Sequence, residues 1–150
     1  MSPRLAFSTF IAACAMAATA PVLALNDAAD DAKDAARLEA ARANAGKPVQ
    51  TVRFLRAVDG YEVIGDTSVL VWETNTKAWL VDVRPGESCQ ARDLDQGWAI
   101  GLEAAYDTMN TSNGYVVGRN NMRCRITAIS EVDVPAMREA ERIALAAPKA

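Results

Sequence analysis

The chain has 150 residues, of which 51% are hydrophobic, and its formal net charge is −3. This length suits a single domain with one core, and the negative charge argues against a nucleic-acid partner. Histidine is absent, which removes the most common general base and the most common transition-metal ligand.

Residues 1–24 have the pattern of a signal peptide, because a short segment with one positive charge, Arg4, precedes an uncharged run. Cleavage after Ala24 satisfies the preference for small or β-branched residues before the cut, whereas cleavage after Ala20 would leave Pro21 in first position. A membrane anchor is the competing interpretation, but the run is barely long enough to span a bilayer. We therefore expect export to the periplasm.

Cys14 offers a second processing route. Ile11-Ala12-Ala13-Cys14 resembles the lipobox of bacterial lipoproteins, in which the cysteine becomes the lipidated first residue of the mature chain. The uncharged run continues past Cys14, which instead favours an ordinary signal peptide. Lipidation would anchor the protein to the outer membrane, and this anchor would be its only contact with a membrane.

The other two cysteines, Cys89 and Cys124, are expected to form a disulfide in an oxidising compartment. A redox-active or metal-binding pair is the alternative, but the spacing is not C-x-x-C and no further soft ligand is present. For a loop of this length, the chain-entropy model gives about 4 kcal/mol of stabilisation. The sequence therefore predicts a structural disulfide.

Residues 25–47 predict a polar helix that acts as a spacer, with Asn26 as its cap and Gly46 and Pro48 at its end. Its aspartates share one face at helical spacing: Asp27, Asp30, Asp31 and Asp34. A calcium site is one interpretation of this acidic stripe, but the segment lacks the glycine-containing loop that such sites use. We interpret the stripe as a solvated face of a weakly packed helix.

Residues 48–150 predict a disulfide-stapled β-rich domain with a C-terminal helix. Val52 and Phe54 indicate a first strand, and residues 61–64 indicate a second. The central hairpin combines residues 68–73 and 78–83, which are rich in β-branched and aromatic side chains. An even-numbered turn between them would pair position 72 with 79 and place four residues on one face: Leu70, Trp72, Trp79 and Val81.

Beyond the hairpin, residues 98–102 indicate a short strand, residues 103–113 are ambiguous, and Asn113-Gly114 indicates a turn before residues 115–117. The next strand alternates, with one side formed by Met122, Cys124, Ile126 and Ala128 and the other by Arg123, Arg125 and Thr127. A helix follows from Asp133, with Pro135 in its first turn. Its predicted apolar stripe consists of Met137, Ala140, Ile143 and Ala144.

No catalytic, phosphate-binding or dinucleotide-binding motif occurs, and the absence of histidine excludes the usual Ser/His and Cys/His pairs. Glu62, Glu73 and Asp82 are carboxylates that acid/base chemistry would need in a close pair, but the sequence does not fix their separation. We expect no cofactor, no metal and no enzymatic activity.

The most distinctive polar cluster is basic. Arg119, Arg123 and Arg125 lie around the strand of the second cysteine, and the disulfide should bring Arg84 and Arg92 near them. On an acidic protein such a patch suits an anion, a peptidoglycan carboxylate or an acidic partner. An ordinary solvated strand face is the alternative interpretation.

Several segments together resemble a family of small exported proteobacterial proteins with a domain of unknown function: GYEVIGD, SVLVWE, KAWLVDV, PGESC, WAIGL, RCRI and the VDV helix start. The resemblance covers about residues 50–140 and leaves the helix before residue 47 outside. Many members look like lipoproteins, which favours the Cys14 route. The family implies no established activity and no catalytic residues.

The sequence thus predicts an α+β, mostly β fold: a small antiparallel sheet or partly closed barrel between an Ala/Asp-rich N-terminal helix and a C-terminal helix. The expected function is non-enzymatic binding of an envelope protein or cell-wall component. A carrier of a small apolar ligand is the first alternative, with a pocket lined by Trp72, Trp79 and Trp98. An uncharacterised enzyme is the second.

Overall fold

The computed structural model describes residues 23–55, 57–84, 89, 101–103, 107–118 and 122–147, with backbone alone in 23–29 and 101–103. The helices are α1 (Leu23–Ala43) and α2 (Val134–Ala146). The strands are β1 (Thr51–Arg53), β2 (Gly60–Ile64), β3 (Ser68–Thr74), β4 (Lys77–Val83), β5 (Gly101–Glu103), β6 (Thr108–Asn110), β7 (Tyr115–Val117) and β8 (Arg123–Val132).

Six strands form one antiparallel sheet in the order β2-β3-β4-β8-β7-β5, and β1 pairs with β6 in a separate two-stranded ribbon. The larger sheet is curled into a half barrel. The predicted fold class, a mostly β α+β domain with a helix at each end, is therefore confirmed. No helix in the described part of the chain is long and apolar enough to cross a bilayer.

The sheet buries apolar side chains on both faces, as expected for a hairpin that is apolar on both sides. We call one side the helix face, because Leu70, Leu80 and Val132 pack there with Ala41 of α1 and Met137 of α2. The other side is the ribbon face. Its core contains side chains from the sheet, the disulfide and the ribbon: Val52, Phe54, Val69, Val71, Trp79, Val81, Val83, Cys89, Met109, Val116, Cys124, Ile126 and Ile129.

The central hairpin forms as predicted, but a β-bulge changes its faces. Thr74 pairs with Lys77 across a two-residue turn, and the register then shifts between Trp72 and Thr74. Trp79 consequently pairs with Val71 instead of Trp72. The prediction that both tryptophans share one face is therefore wrong, because the extra residue at the bulge moves every later pair by one position.

A second bulge divides the long strand β8. The register between β4 and β8 shifts between Asp82 and Val83, so that Ile126 and Ile129 both belong to the ribbon-face core. Ala128 pairs with Asp82 and does not continue the row of Cys124 and Ile126, which corrects the predicted alternation. The alternation holds only as far as Ile126 because an extra residue interrupts the ladder there.

Helix α1 packs onto the sheet through its C-terminal half. Ala40 and Ala41 are buried in the helix-face core, and Leu38 packs against it, while residues 30–35 are exposed. Small alanine side chains allow the helix backbone to approach the sheet closely. Residues 30–35 of this helix are therefore exposed to solvent, whereas Leu38, Ala40 and Ala41 pack against the sheet.

Helix α2 begins as predicted, with Asp133 accepting a hydrogen bond from the Ala136 amide and with proline in the first turn. Its buried residues are Val134, Met137 and Glu141, whereas Ile143 is 58% exposed. The predicted apolar stripe therefore holds for Met137 and for Ala140, which packs against the helix-face core, and is wrong for Ile143 and Ala144, which are exposed while Glu141 is buried with an ionic partner.

Candidate functional site

Two residues of the predicted basic patch, Arg123 and Arg125, lie on the outer side of β8. Arg123 and Arg125 are exposed and project opposite Cys124, which is fully buried. Tyr115 of β7 pairs with Arg125 and lies beside them. We call these three residues the arginine face. Arg119 and Arg92, which were predicted to contribute, lie outside the described residues.

Two contacts orient the guanidinium groups of the arginine face. The Arg123 guanidinium lies over the Tyr115 ring at 4.4 Å from the ring centroid, and Arg125 Nη2 donates to the Ser112 carbonyl at 3.0 Å. Stacking on an aromatic ring uses the flat face of a guanidinium and fixes the plane of that group. The sequence did not predict Tyr115 as part of this site, because its position beside the arginines depends on the β7–β8 register.

The predicted disulfide lies directly behind this face and is confirmed. Cys89 and Cys124 are bonded, with their Cα atoms 5.1 Å apart. Both are buried in the ribbon-face core. The Arg84 amide donates to the Arg125 carbonyl at 2.9 Å, so the chain entering the Cys89 loop is also fixed to β8. The arginine face therefore has a rigid support.

The three carboxylates considered for acid/base chemistry have separate partners. Glu62 contacts Arg37, Glu73 lies 3.0 Å from Lys77 Nζ, and Asp82 accepts a 2.7 Å hydrogen bond from Ser68. Glu62 and Asp82 lie on β2 and β4 with β3 between them, and Glu73 lies with Trp79 toward the ribbon face. The contacts give each carboxylate a structural role.

Glu73 is 5% exposed, which is unusual for an ionised side chain. The Lys77 ammonium lowers the pKa of Glu73 from its ordinary value of 4.5, and hydrogen bonds from the Trp79 indole and the Leu55 amide lower it further, against the effect of burial. The carboxylate thus joins the hairpin to the end of β1. The bulge brings Glu73 and Lys77 to the same side of the turn.

Arg37 connects three elements on the helix face. It contacts Glu62 of β2, and its Nε donates to both carboxylate oxygens of Glu141 at 3.1 Å. Burial opposes the positive charge, but the hydrogen bonds to Glu62 and Glu141 outweigh it and raise the pKa of Arg37. This network links α1, β2 and α2, and its buried Glu141 explains why α2 lacks a purely apolar stripe.

Trp72 and Trp79 do not line a common pocket, because they lie on opposite faces of the sheet. Trp79 belongs to the ribbon-face core, whereas Trp72 packs against the helix-face core, and Trp98 lies outside the described residues. The ribbon face of the described sheet is filled by its own side chains and by Phe54 and Met109. The lining predicted for a ligand carrier is therefore wrong with respect to Trp72 and Trp79.

The acidic stripe of α1 faces a groove rather than a metal-binding loop. Asp31, Asp34 and Leu38 line this groove opposite Val63, Gly65 and Asp66. Among the residues that the structure describes, no group of three or more potential ligands is placed to hold a metal ion. The side chain of Asp27 and the segment with Cys14 lie outside that part of the chain.

The fold and the arginine face define a small disulfide-stapled α+β domain with a curled sheet and an exposed arginine pair. The chain belongs to the family of unknown function DUF6491, whose model matches residues 6–147. The match includes α1, so the expectation that the family begins near residue 50 is corrected. No curated protein and no solved structure gives a significant match.

Proposed function

We propose that this protein is an exported, non-enzymatic binding domain of the bacterial envelope, and that its arginine face binds carboxylate groups of an envelope protein or a cell-wall component. The observation that supports the proposal is the exposed pair of Arg123 and Arg125 on a strand that a disulfide fixes from behind. The domain itself carries a net negative charge, so a local positive surface would select an acidic partner by complementarity.

The geometry of the arginine pair suits carboxylates. A guanidinium offers five N–H donors in a planar fork, and the hydrogen bond from Arg125 to the Ser112 carbonyl uses one of them. Stacking on Tyr115 limits the rotation of Arg123, which reduces the entropy lost when a ligand binds. Lysine would retain the charge but lose the fork and the stacking.

Two features support a periplasmic location. Residues 1–24 have the composition of a signal peptide, and a disulfide between two buried cysteines is typical of oxidising compartments. In the main form of the proposal the mature chain begins near Leu25. In the alternative it begins at a diacylated Cys14 and is held at the outer membrane.

The mass of the mature protein tests the processing route. Intact mass spectrometry of protein purified from the native envelope should give either a chain starting near Leu25 or a lipid-modified chain starting at Cys14. A cytoplasmic protein that retains Met1 and free thiols at Cys89 and Cys124 would contradict export.

Affinity capture tests the arginine face. The folded domain is immobilised and exposed separately to envelope proteins and to purified peptidoglycan, and wild type is compared with R123E/R125E. The matched control is K47E/R53E, because Lys47 and Arg53 are exposed and the net charge changes equally. Loss of capture in R123E/R125E but not in K47E/R53E supports the proposal, and equal capture by all three proteins refutes it.

A second variant separates charge from geometry. R123K/R125K keeps both positive charges and should lose at least tenfold in affinity for a carboxylate-rich partner, because lysine cannot form the bidentate pair. Full affinity in this variant would show that charge alone is sufficient. Circular dichroism and the intact disulfide mass confirm that each variant is folded.

A further inference from the structure

Strand β2 forms one edge of the six-stranded sheet. Its five residues pair with β3 on one side, and no described strand pairs with it on the other. An edge strand presents backbone N–H and C=O groups that another extended chain can use. β2 contains neither proline nor lysine, which are the residues that commonly block such pairing.

One groove lies at each end of β2. The first, of about 450 Å³, lies at the start of β2 and is lined by Asp59, Gly60, Tyr61, Glu62, Trp72, Thr74, Asn75 and Arg138. The second, of about 410 Å³, lies at its end and is lined by Asp31, Asp34, Ala35, Leu38, Val63, Gly65 and Asp66. A Cβ at Gly60 would meet no atom within 4 Å, so the sheet surface at the start of β2 is open.

The exposed charge along the edge is negative. The lining residues of the two grooves include five carboxylates, of which Glu62 is paired with Arg37 while Asp31 and Asp59 are exposed, and one basic side chain, Arg138. Arg138 lies over the Trp72 ring at 5.6 Å from its centroid and donates to the Asn75 carbonyl, which holds it at one end of the first groove. The edge therefore complements a positively charged chain.

We propose that β2 is a docking edge for an extended basic peptide segment, which adds to the sheet as a further strand. Backbone hydrogen bonds to β2 supply the pairing, and lysine or arginine side chains of the segment reach the exposed carboxylates Asp59 and Asp31, one in each groove. About five residues are needed, since an extended chain rises about 3.4 Å per residue and β2 has five residues. This surface is separate from the arginine face and has the opposite charge preference.

A second copy of this chain is a poorer occupant of the edge. Pairing β2 with β2 of another molecule would bring the carboxylates of both edges together, and opposed like charges disfavour strand pairing. Self-association through β2 is therefore an outcome that would overturn the proposal.

The test uses the full mature chain and three synthetic peptides. The first alternates lysine and valine over seven residues, the second replaces every lysine by glutamate, and the third is the lysine peptide with an N-methyl group on every backbone amide nitrogen, so that neither of its edges can donate. Calorimetric titration should show binding of the first peptide, at least tenfold weaker binding of the third, and no binding of the second. N-methylation removes donors without changing charge, so it distinguishes strand pairing from electrostatic attraction alone.

Protein variants locate the site. Asp31→Lys with Asp59→Lys changes one exposed carboxylate in each groove and should weaken binding of the lysine peptide at least tenfold. The matched control, Glu39→Lys with Glu131→Lys, makes the same charge change at exposed positions outside both grooves and should bind as wild type does. Amide exchange of β2 should slow when the peptide is bound.

Three results would overturn the proposal: absence of binding by the lysine peptide, equal binding of the N-methylated peptide, and protein dimers that the peptide dissociates. The peptide comparison leaves the protein unchanged, so it remains decisive if a variant fails to fold. The R123E/R125E variant should bind the lysine peptide as strongly as wild type does, because the arginine face is a separate surface.

Discussion

Glu73 shows how a single bulge residue is stabilised by its surroundings. Its carboxylate is nearly buried, yet it has a cation, an indole N–H and a backbone amide as partners. Hydrogen bonds to a charged group contribute about 1.5 to 3 kcal/mol each when they are well formed. The pairing of the hairpin therefore depends on the ionised state of this side chain.

The lowered pKa of Glu73 predicts a pH-dependent contribution to stability. The folded state holds the proton less tightly than the unfolded state, so the contribution is complete above the unfolded value, near 4.5, and is lost as the pH falls through the folded value. We expect E73Q to be about 1 to 2 kcal/mol less stable than wild type at pH 7. The difference should shrink below pH 4.5.

Urea unfolding at pH 7, 5 and 3 measures this effect. E39Q serves as the control, because Glu39 is exposed on α1. A constant difference between wild type and E73Q over the whole range would contradict the assigned role of the ionised carboxylate.

The ion pairs of Arg37 give a second prediction about stability. R37A removes the cation between two carboxylates and leaves Glu141, whose side chain is 8% exposed, without this partner. Breaking such a pair costs about 3 kcal/mol. R142A, which removes the exposed Arg142–Glu139 pair, should cost less than about 0.5 kcal/mol. Urea unfolding compares them, and similar losses in both variants would show that burial of Glu141 is unimportant.

At the scale of elements, much of the hairpin and both helices could be predicted from residue patterns. Alternation and β-branched content indicate β3 and β4, and Asp133 with Pro135 indicates the start of α2. The sequence could not predict which hairpin residues share a face, because this depends on the bulge at Glu73. The Glu73 carboxylate accepts a hydrogen bond from the Leu55 amide, which lies outside the hairpin. The β1–β6 pairing also lacks a local signal, since β6 lies in the ambiguous segment and finds its partner through the fold.

In the candidate site, too, some features could be predicted from the sequence and others could not. Alternation along β8 predicted that Arg123 and Arg125 project away from Cys124, and the structure places them so. The aromatic partner Tyr115 depends on the β7–β8 register, and the buried ion network of Arg37 depends on the packing of two helices. A single sequence gives no direct signal for either arrangement.

The β2–β3 turn gives a prediction about the seating of α1. Gly65 has a φ of +67°, and a Cβ there would lie 2.7 Å from Leu38 Cδ2 of the helix. G65A should therefore destabilise the protein by about 1 to 2 kcal/mol, since it combines backbone strain with a displaced leucine. G60A, at a position where a Cβ meets nothing within 4 Å, should cost less than about 1 kcal/mol.

Thermal and urea unfolding of G65A and G60A provide the measurement. Equal stability of the two variants would mean that the contact between the turn and Leu38 does not hold α1 in place. A proteolysis assay adds detail, because looser packing of α1 in G65A should expose the helix to earlier cleavage.

For the whole molecule, the disulfide between Cys89 and Cys124 gives a prediction about the free energy of unfolding. Cys89 and Cys124 are 35 residues apart in sequence, and the chain-entropy model assigns about 4 kcal/mol to a loop of this size. We expect C89A/C124A to lose about this much free energy of unfolding, and reduced wild type to behave similarly. C14A serves as the control in material that retains Cys14, and an unchanged urea midpoint in C89A/C124A would contradict the prediction.

The strand order also determines when the domain can assemble. β8 is the last strand in the chain, yet it lies between β4 and β7 in the sheet and supplies core residues to both faces. A growing chain that ends before residue 123 therefore has β3 and β4 without their central neighbour, and the hairpin edge of β4 stays open. Because the β4–β8 ladder joins strands that are far apart in sequence, the sheet should be completed only when nearly the whole chain is present, although the β2–β3–β4 hairpins can form earlier.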